Sequence, residues 1–209
     1  MGSLTDASSC HGHVVIKTRP YPGQIRCGDQ ATIVHSDHTT YLILVDGLGH
    51  GPEAERAALA AIECSKHHLQ WPMSERFAVC NEALRSTRGV AMTQIELSDN
   101  RARIAGVGNV VAIIYPHDSD RHHIYADPGI VGGGYHHLHI QNLTLLPGTL
   151  LLLHTDGISE QLQLPPGLSF DPNCGAEFDF ESIADQLLKQ WGRSTDDAGL
   201  LLYYHNPVL

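Results

Sequence analysis

The run Leu42-Ile43-Leu44-Val45-Asp46-Gly47-Leu48-Gly49-His50-Gly51 decides how the rest of the chain is read. Four uninterrupted apolar residues indicate a short strand buried on both faces. The run ends in one carboxylate, Asp46, and a glycine-dense turn follows. Pro52 then suits the first position of a helix, with Glu53 near its positive end. A carboxylate at the tip of a buried strand, beside backbone bare of side chains, suits a hard divalent cation. Leu150-Leu151-Leu152-Leu153-His154-Thr155-Asp156-Gly157 repeats the arrangement far downstream.

Working outward, strands are predicted at 13–18, 30–36, 41–45, 90–97, 101–107, 110–115, 122–126, 135–143, 150–154 and 200–205. Short polar turns such as Ser36-Asp37-His38 and Ser98-Asp99-Asn100 allow antiparallel hairpins and leave no room for helical crossovers. Yet Leu42–Val45, Val110–Ile114 and Leu150–Leu153 are nearly continuous apolar runs, which an antiparallel sheet with one wet face would not carry. Helices resolve the conflict. Residues 53–70 place Ala54, Ala57, Ala58, Ala61, Ile62, Ser65 and Leu69 on one stripe. Residues 73–86 follow as a second, antiparallel helix after Trp71-Pro72, and 179–191 form a third with Ile183, Leu187 and Leu188 facing inward. Two antiparallel sheets face to face with helices on both outer sides satisfy every run, so the predicted fold is an α+β, αββα sandwich.

The 209 residues, 42% apolar and 17% charged, suit one globular domain over 13–209 behind a short flexible tail, 1–12. The irregular stretch 164–177 reads as a surface loop. No apolar run approaches the roughly 18–20 residues of a membrane span, and the start lacks a signal-peptide layout. A formal charge of −10 argues against a nucleic-acid partner, because no basic stripe replaces counterions. Five scattered cysteines without a Cys-x-x-Cys pair suit a reduced, cytoplasmic setting. Among the 15 histidines, His137 and His139 would share a strand face, but no further ligand stands at a zinc spacing.

Four aspartates share a context: Asp29 after Gly28 before a strand, Asp46 and Asp156 each ending a strand before glycine, and Asp196 before the last strand. Strand-end Asp-Gly is most often only a turn, so each alone reads first as loop chemistry. Together they can converge at one edge of the sandwich. Like charges about 4 Å apart cost roughly 4 kcal/mol per pair at an effective dielectric near 20, so such a cluster calls for cations. Oxygen-only ligands point to Mg²⁺ or Mn²⁺, and two such ions can activate water against a phosphoryl group. Asp46 is the natural bridging ligand, with the Gly47 carbonyl beside it.

Gly28-Asp29, Val45-Asp46-Gly47-Leu48-Gly49-His50-Gly51, Gly106-Val107-Gly108-Asn109, His154-Thr155-Asp156-Gly157-Ile158-Ser159-Glu160 and Asp196-Asp197 stand in the order seen in the PPM (protein phosphatase 2C-like) family. The chain resembles its bacterial SpoIIE-like branch over about 13–205, and its compact form is most similar to the stressosome-resetting phosphatases there. The resemblance implies the αββα fold and a Mn²⁺/Mg²⁺-dependent phosphoserine/phosphothreonine phosphatase. It implies that Asp46 bridges two ions, that Gly47 supplies a carbonyl, that Asp156 and Asp196 hold the first ion, and that Asp29 holds the second. The implied partners are phosphorylated STAS-domain proteins of a stress-signalling complex. Two other readings stay open: a catalytically silent binding module, and a partner-activated phosphatase of an anti-anti-sigma factor. Larger relatives carry histidine where this chain has Leu48, which leaves protonation of the departing oxygen to water or to another group, with His50 as one candidate. Arg26 is the candidate phosphate ligand, and Gly106–Asn109 reads as a tight sheet turn.

Overall fold

A computed structural model describes residues 12–166, 168, 170 and 178–205. In chain order the elements are β1 (Gly12–Arg19), β2 (Asp29–Ser36), β3 (Thr39–Gly47), α1 (Pro52–His67), α2 (Met73–Ala83), β4 (Val90–Ser98), β5 (Arg101–Val107) and β6 (Val111–Tyr115). They continue with β7 (His122–Ile124), β8 (Gly129–Ile130), β9 (Gly134–Tyr135), β10 (Gln141–Thr144), β11 (Thr149–His154), α3 (Phe180–Trp191) and β12 (Ala198–His205). Residues 1–11 of the expected tail, and most of the 164–177 loop, lie outside the described residues, whereas Gly12 already belongs to β1.

Two five-stranded sheets form, in the orders β1-β12-β11-β6-β7 and β10-β5-β4-β3-β2, with every pair antiparallel. Strand periodicity sorts the apolar runs. Leu42, Leu44, Leu151, Leu153, Leu201 and Tyr203 point into the layer between the sheets. Their neighbours Ile43 and Val45 lie under α1 and α2, while Leu150, Leu152, Leu200 and Leu202 lie under α3. Each run is therefore buried on both sides, as an αββα sandwich requires. The two longest hairpins turn through Asp37 and Asp99, both at φ 51°, a conformation that short polar side chains tolerate. Asp179 caps α3 by accepting from the Ser182 N–H at 3.0 Å.

The strand expected at 135–143 is not there. Its ends join β9 and β10, and residues 136–140 between them are irregular, so His137 and His139 share no strand face. His139 instead binds Asp127, whose Oδ1 lies 2.6 Å from its Nδ1. The apolar residues Tyr135, Leu138 and Ile140 imitated a strand because they pack onto the α1–α2 side of the sheet from a largely irregular backbone. The predicted helices also stop earlier than expected: α1 at His67 and α2 at Ala83. Among the described residues no helix is long and apolar enough to cross a membrane.

Candidate active site and metal-binding residues

All four predicted aspartates stand at one end of the sandwich. Asp29 opens β2 directly opposite Asp46 near the end of β3. Asp156 lies just past β11 and Asp196 just before β12, and those strands pair so that His154 faces Leu200. Both Asp-Gly glycines are required by packing rather than by turn geometry, since neither has a positive φ. A Cβ on Gly47 would run into the backbone carbonyl of Ala54 in the first turn of α1, and one on Gly157 into the carbonyl of Asp197. The missing side chains let a helix start and a neighbouring loop close directly onto the aspartates.

Hydrogen bonds join the two sheets here. The Thr155 hydroxyl donates to Asp29 Oδ2 at 2.6 Å and accepts from the Gly199 N–H at 2.9 Å. Asp197, almost fully buried, accepts from the Tyr21 N–H at 2.7 Å and the Gly28 N–H at 2.9 Å, which pins the loop between β1 and β2. Asn109 donates to Asp156 Oδ2 at 2.6 Å. The turn at Gly106–Asn109 is thus tight, with Gly108 at φ 102°, but it also reaches the site.

Electrostatics mark the cluster as short of positive charge. Burial, followed by the charges of Asp29, Asp156, Asp196 and Asp197, pushes Asp46 up to about 9. Burial likewise pushes Asp29 up to about 8, opposed by the Thr155 hydroxyl and reinforced by Asp197, Asp156 and Asp196. Burial and then Asp156 also raise Asp196. A hard divalent ion fits this donor set, because it replaces the missing countercharge and takes only oxygen ligands. As they stand, no three His, Cys, Asp or Glu side chains among the described residues are spaced to share one ion. Asp29 and Asp156 instead face their own donors, Thr155 and Asn109.

His50 sits at the rim. Its ring stacks on Tyr21 with centroids 4.5 Å apart, and Gln24 Nε2 lies 2.9 Å from its Nδ1, which leaves Nε2 to carry the proton of the neutral ring. Arg26 is spent on Glu55 at 3.1 Å and is largely exposed. A different arginine stands at the loop after Asp46: Arg88 reaches across Gly49, on the chain segment whose Gly89 carbonyl accepts from the Leu48 N–H at 3.1 Å. Sequence reasoning passed over Thr155, Asp197, Asn109 and Arg88. Thr155 and Asp197 adjoin chosen aspartates and were within reach. Asn109 lies in the turn between β5 and β6 and Arg88 in the segment between α2 and β4, and only sheet pairing brings them in.

Replacing Thr155 by valine keeps the shape and strips Asp29 of its hydroxyl donor and Gly199 of an acceptor. The expected loss is about 1–3 kcal/mol in urea unfolding. An unchanged midpoint would show that water replaces the hydroxyl.

Comparison with known proteins agrees with this architecture. Residues 36–205 match the family described as Stage II sporulation protein E (SpoIIE). The phosphoserine phosphatase RsbX of Bacillus subtilis (strain 168) is 22% identical over 139 residues, covering 66% of this chain and 70% of that protein. A solved chain from the bacterial stressosome, described as a modular system adapted to control secondary messenger signaling, aligns at TM-score 0.81 and 29% identity over 92% of this chain and 99% of its own. RsbX in complex with magnesium aligns at TM-score 0.77 and 20% identity over 97% and 98% of the two chains. Strand-end aspartates around one edge of an αββα sandwich, in a sequence matched over most of its length, place the chain in the SpoIIE-like branch of the PPM phosphatases, a phosphatase hydrolase by that membership.

Proposed function

We propose that the chain is a Mn²⁺- or Mg²⁺-dependent phosphoserine/phosphothreonine protein phosphatase acting on phosphorylated STAS-domain proteins of a cytoplasmic stress-signalling complex. The observation that carries the metal dependence is the pair Asp29–Asp46, facing each other across β2 and β3 with their pKa values raised by burial and by further carboxylates. Asp46 would serve two ions and the Gly47 carbonyl would complete the shell of one, while Asp156 and Asp196 would hold the first ion and Asp29 the second. When bound, such ions supply an activated water and positive charge for the phosphoryl oxygens.

The chain's own groups would do the rest. Asn109 holds the orientation of Asp156, and Thr155 that of Asp29. The His50 ring, held by Tyr21 and Gln24, would protonate the departing serine oxygen from Nε2 as the imidazolium, with the Gln24 amide turned so that its oxygen accepts from Nδ1–H. Arg88, above Gly49, is better placed than Arg26 to meet the phosphoryl group. Similarity to RsbX and to the stressosome chain supports the substrate class. The free Cys27, Cys64 and Cys80 accord with a reducing compartment.

The test is phosphate release from a serine-phosphorylated STAS-domain protein. Release is expected with added Mn²⁺, and loss is expected on chelation or in Asp156→Ala. Release that persists through both treatments would overturn the metal assignment. Dephosphorylation of unrelated phosphoproteins but never of STAS-domain ones would overturn the substrate.

A further inference from the structure

Helices cover only part of the outer face of the β2–β5 sheet. Toward the aspartates it is apolar, with Ile43, Val45, Met92, Ala105 and Val107 packed under α1 and α2. Toward the Asp37 and Asp99 hairpins the same face becomes polar, and the chain joining α1 to α2 stands beside it rather than over it. The gap is a cavity of about 730 Å³, floored by Tyr41, Glu96, Arg101 and Arg103 and walled by Gln70 and Trp71. That volume lies within the roughly 300–1,000 Å³ typical of small-molecule sites.

One buried residue makes floor and wall a single piece. Arg76 of α2, fully buried, donates from Nε to Gln94 Oε1 at 2.6 Å and from Nη2 to Glu96 Oε1 at 2.6 Å. Its Nη1 donates to the carbonyls of Leu69 at 3.0 Å and Trp71 at 3.4 Å, so the turn carrying Trp71 is tied to the sheet. The guanidinium carbon lies 5.4 Å from the centre of the Tyr41 ring. Glu96 is the one acid among the lining residues, and both its oxygens are taken: Oε2 accepts from Arg103 Nη1 at 2.9 Å. Arg101 is exposed and makes no ion pair among the described residues. Among the residues lining the cavity two arginines, Arg101 and Arg103, stand against the single carboxylate of Glu96, so the lining is positive on a chain whose formal charge is −10. Trp71 stays 47% exposed at its wall, with His68 packed edge-to-face against its ring at a centroid distance of 4.5 Å.

We propose that this cavity binds a small anion carrying a planar ring, the chemistry of a nucleoside monophosphate. The phosphate would sit on Arg101 and the unused N–H groups of Arg103, and the ring would lie against Trp71. The proposal does not depend on the reaction at the aspartates.

The chain has two tryptophans, and the Trp191 indole nitrogen is buried without a partner among the described residues, so Trp191→Phe leaves Trp71 as a local reporter and removes no hydrogen bond seen there. With chelator present, GMP and AMP are titrated against Trp71 fluorescence, alongside guanosine and inorganic phosphate. Saturable quenching by a monophosphate is expected, weakened about tenfold or more by Arg101→Glu. That variant should keep its turnover of p-nitrophenyl phosphate, which shows an intact fold. No saturation by either nucleotide, or affinity indifferent to Arg101→Glu, would overturn the proposal. Phosphate or guanosine binding as tightly as the nucleotides would overturn the pairing of ring and anion.

Discussion

Asp46→Asn is expected to lower hydrolysis of p-nitrophenyl phosphate by about a thousandfold or more, since loss even of residues that only support metal ligands costs about 10–100-fold. The same change is expected to stabilise the protein when metal is withheld. In the fold Asp46 holds its proton up to about 9, because burial and neighbouring aspartates penalise its charge. In the unfolded chain it would lose that proton near 3.9. Between those values the unfolded state binds fewer protons, so stability falls as pH rises, and it is fully present only below the unfolded value. Thermal unfolding of the metal-free wild type should therefore show a lower Tm at pH 8 than at pH 5. Asparagine, which cannot ionise, should remove the share of that slope due to Asp46, leave the share of Asp29, whose proton is held up to about 8, and raise the Tm at pH 8 by several degrees, given about 2–4 °C per kcal/mol at this size. Wild-type turnover in the variant would sink the assignment of Asp46. A flat pH profile in the wild type would show that these carboxylates are better solvated than their burial implies.

Gly47→Ala adds one methyl group and is expected to damage the protein more than any surface change. The new Cβ would meet the backbone carbonyl of Ala54, which cannot swing aside as a side chain can. Relief requires α1 to lift from the sheet, where Ala57, Ala58 and Ala61 are packed without exposed surface. The expected loss is about 3 kcal/mol or more, at the upper end for overpacking, with activity lost in parallel. Gly23→Ala is the control. Gly23 has φ 85° but nothing within 4 Å of an added Cβ, so only the backbone term of about 1–2 kcal/mol applies. Equal unfolding midpoints for the two variants would mean that helix approach does not set the identity of residue 47.

Much of the architecture was legible because burial on both faces leaves a mark in one dimension. Leu42–Val45 and Leu150–Leu153 could satisfy their apolar runs only between a second sheet and a layer of helices, and that is where they lie. The strand expected at 135–143 failed for the same reason that others succeeded. Spaced apolar residues report which side chains are buried, and irregular backbone lying on a sheet produces that pattern too. The aspartates were legible by their shared place at strand ends. Asn109, Arg88 and the cavity under Trp71 were not, because each depends on which strand lies beside which.

By itself the order of residues determined two sheets between helices and the strand ends that carry the acids, since periodicity and side-chain type are local properties. Only the tertiary structure decided that Asp29 faces Asp46, that Thr155 and Asn109 occupy the oxygens of Asp29 and Asp156, and that both Asp-Gly glycines yield to a neighbouring carbonyl. Those facts arise where chain segments far apart in sequence are brought within hydrogen-bond distance, and no local pattern encodes that approach.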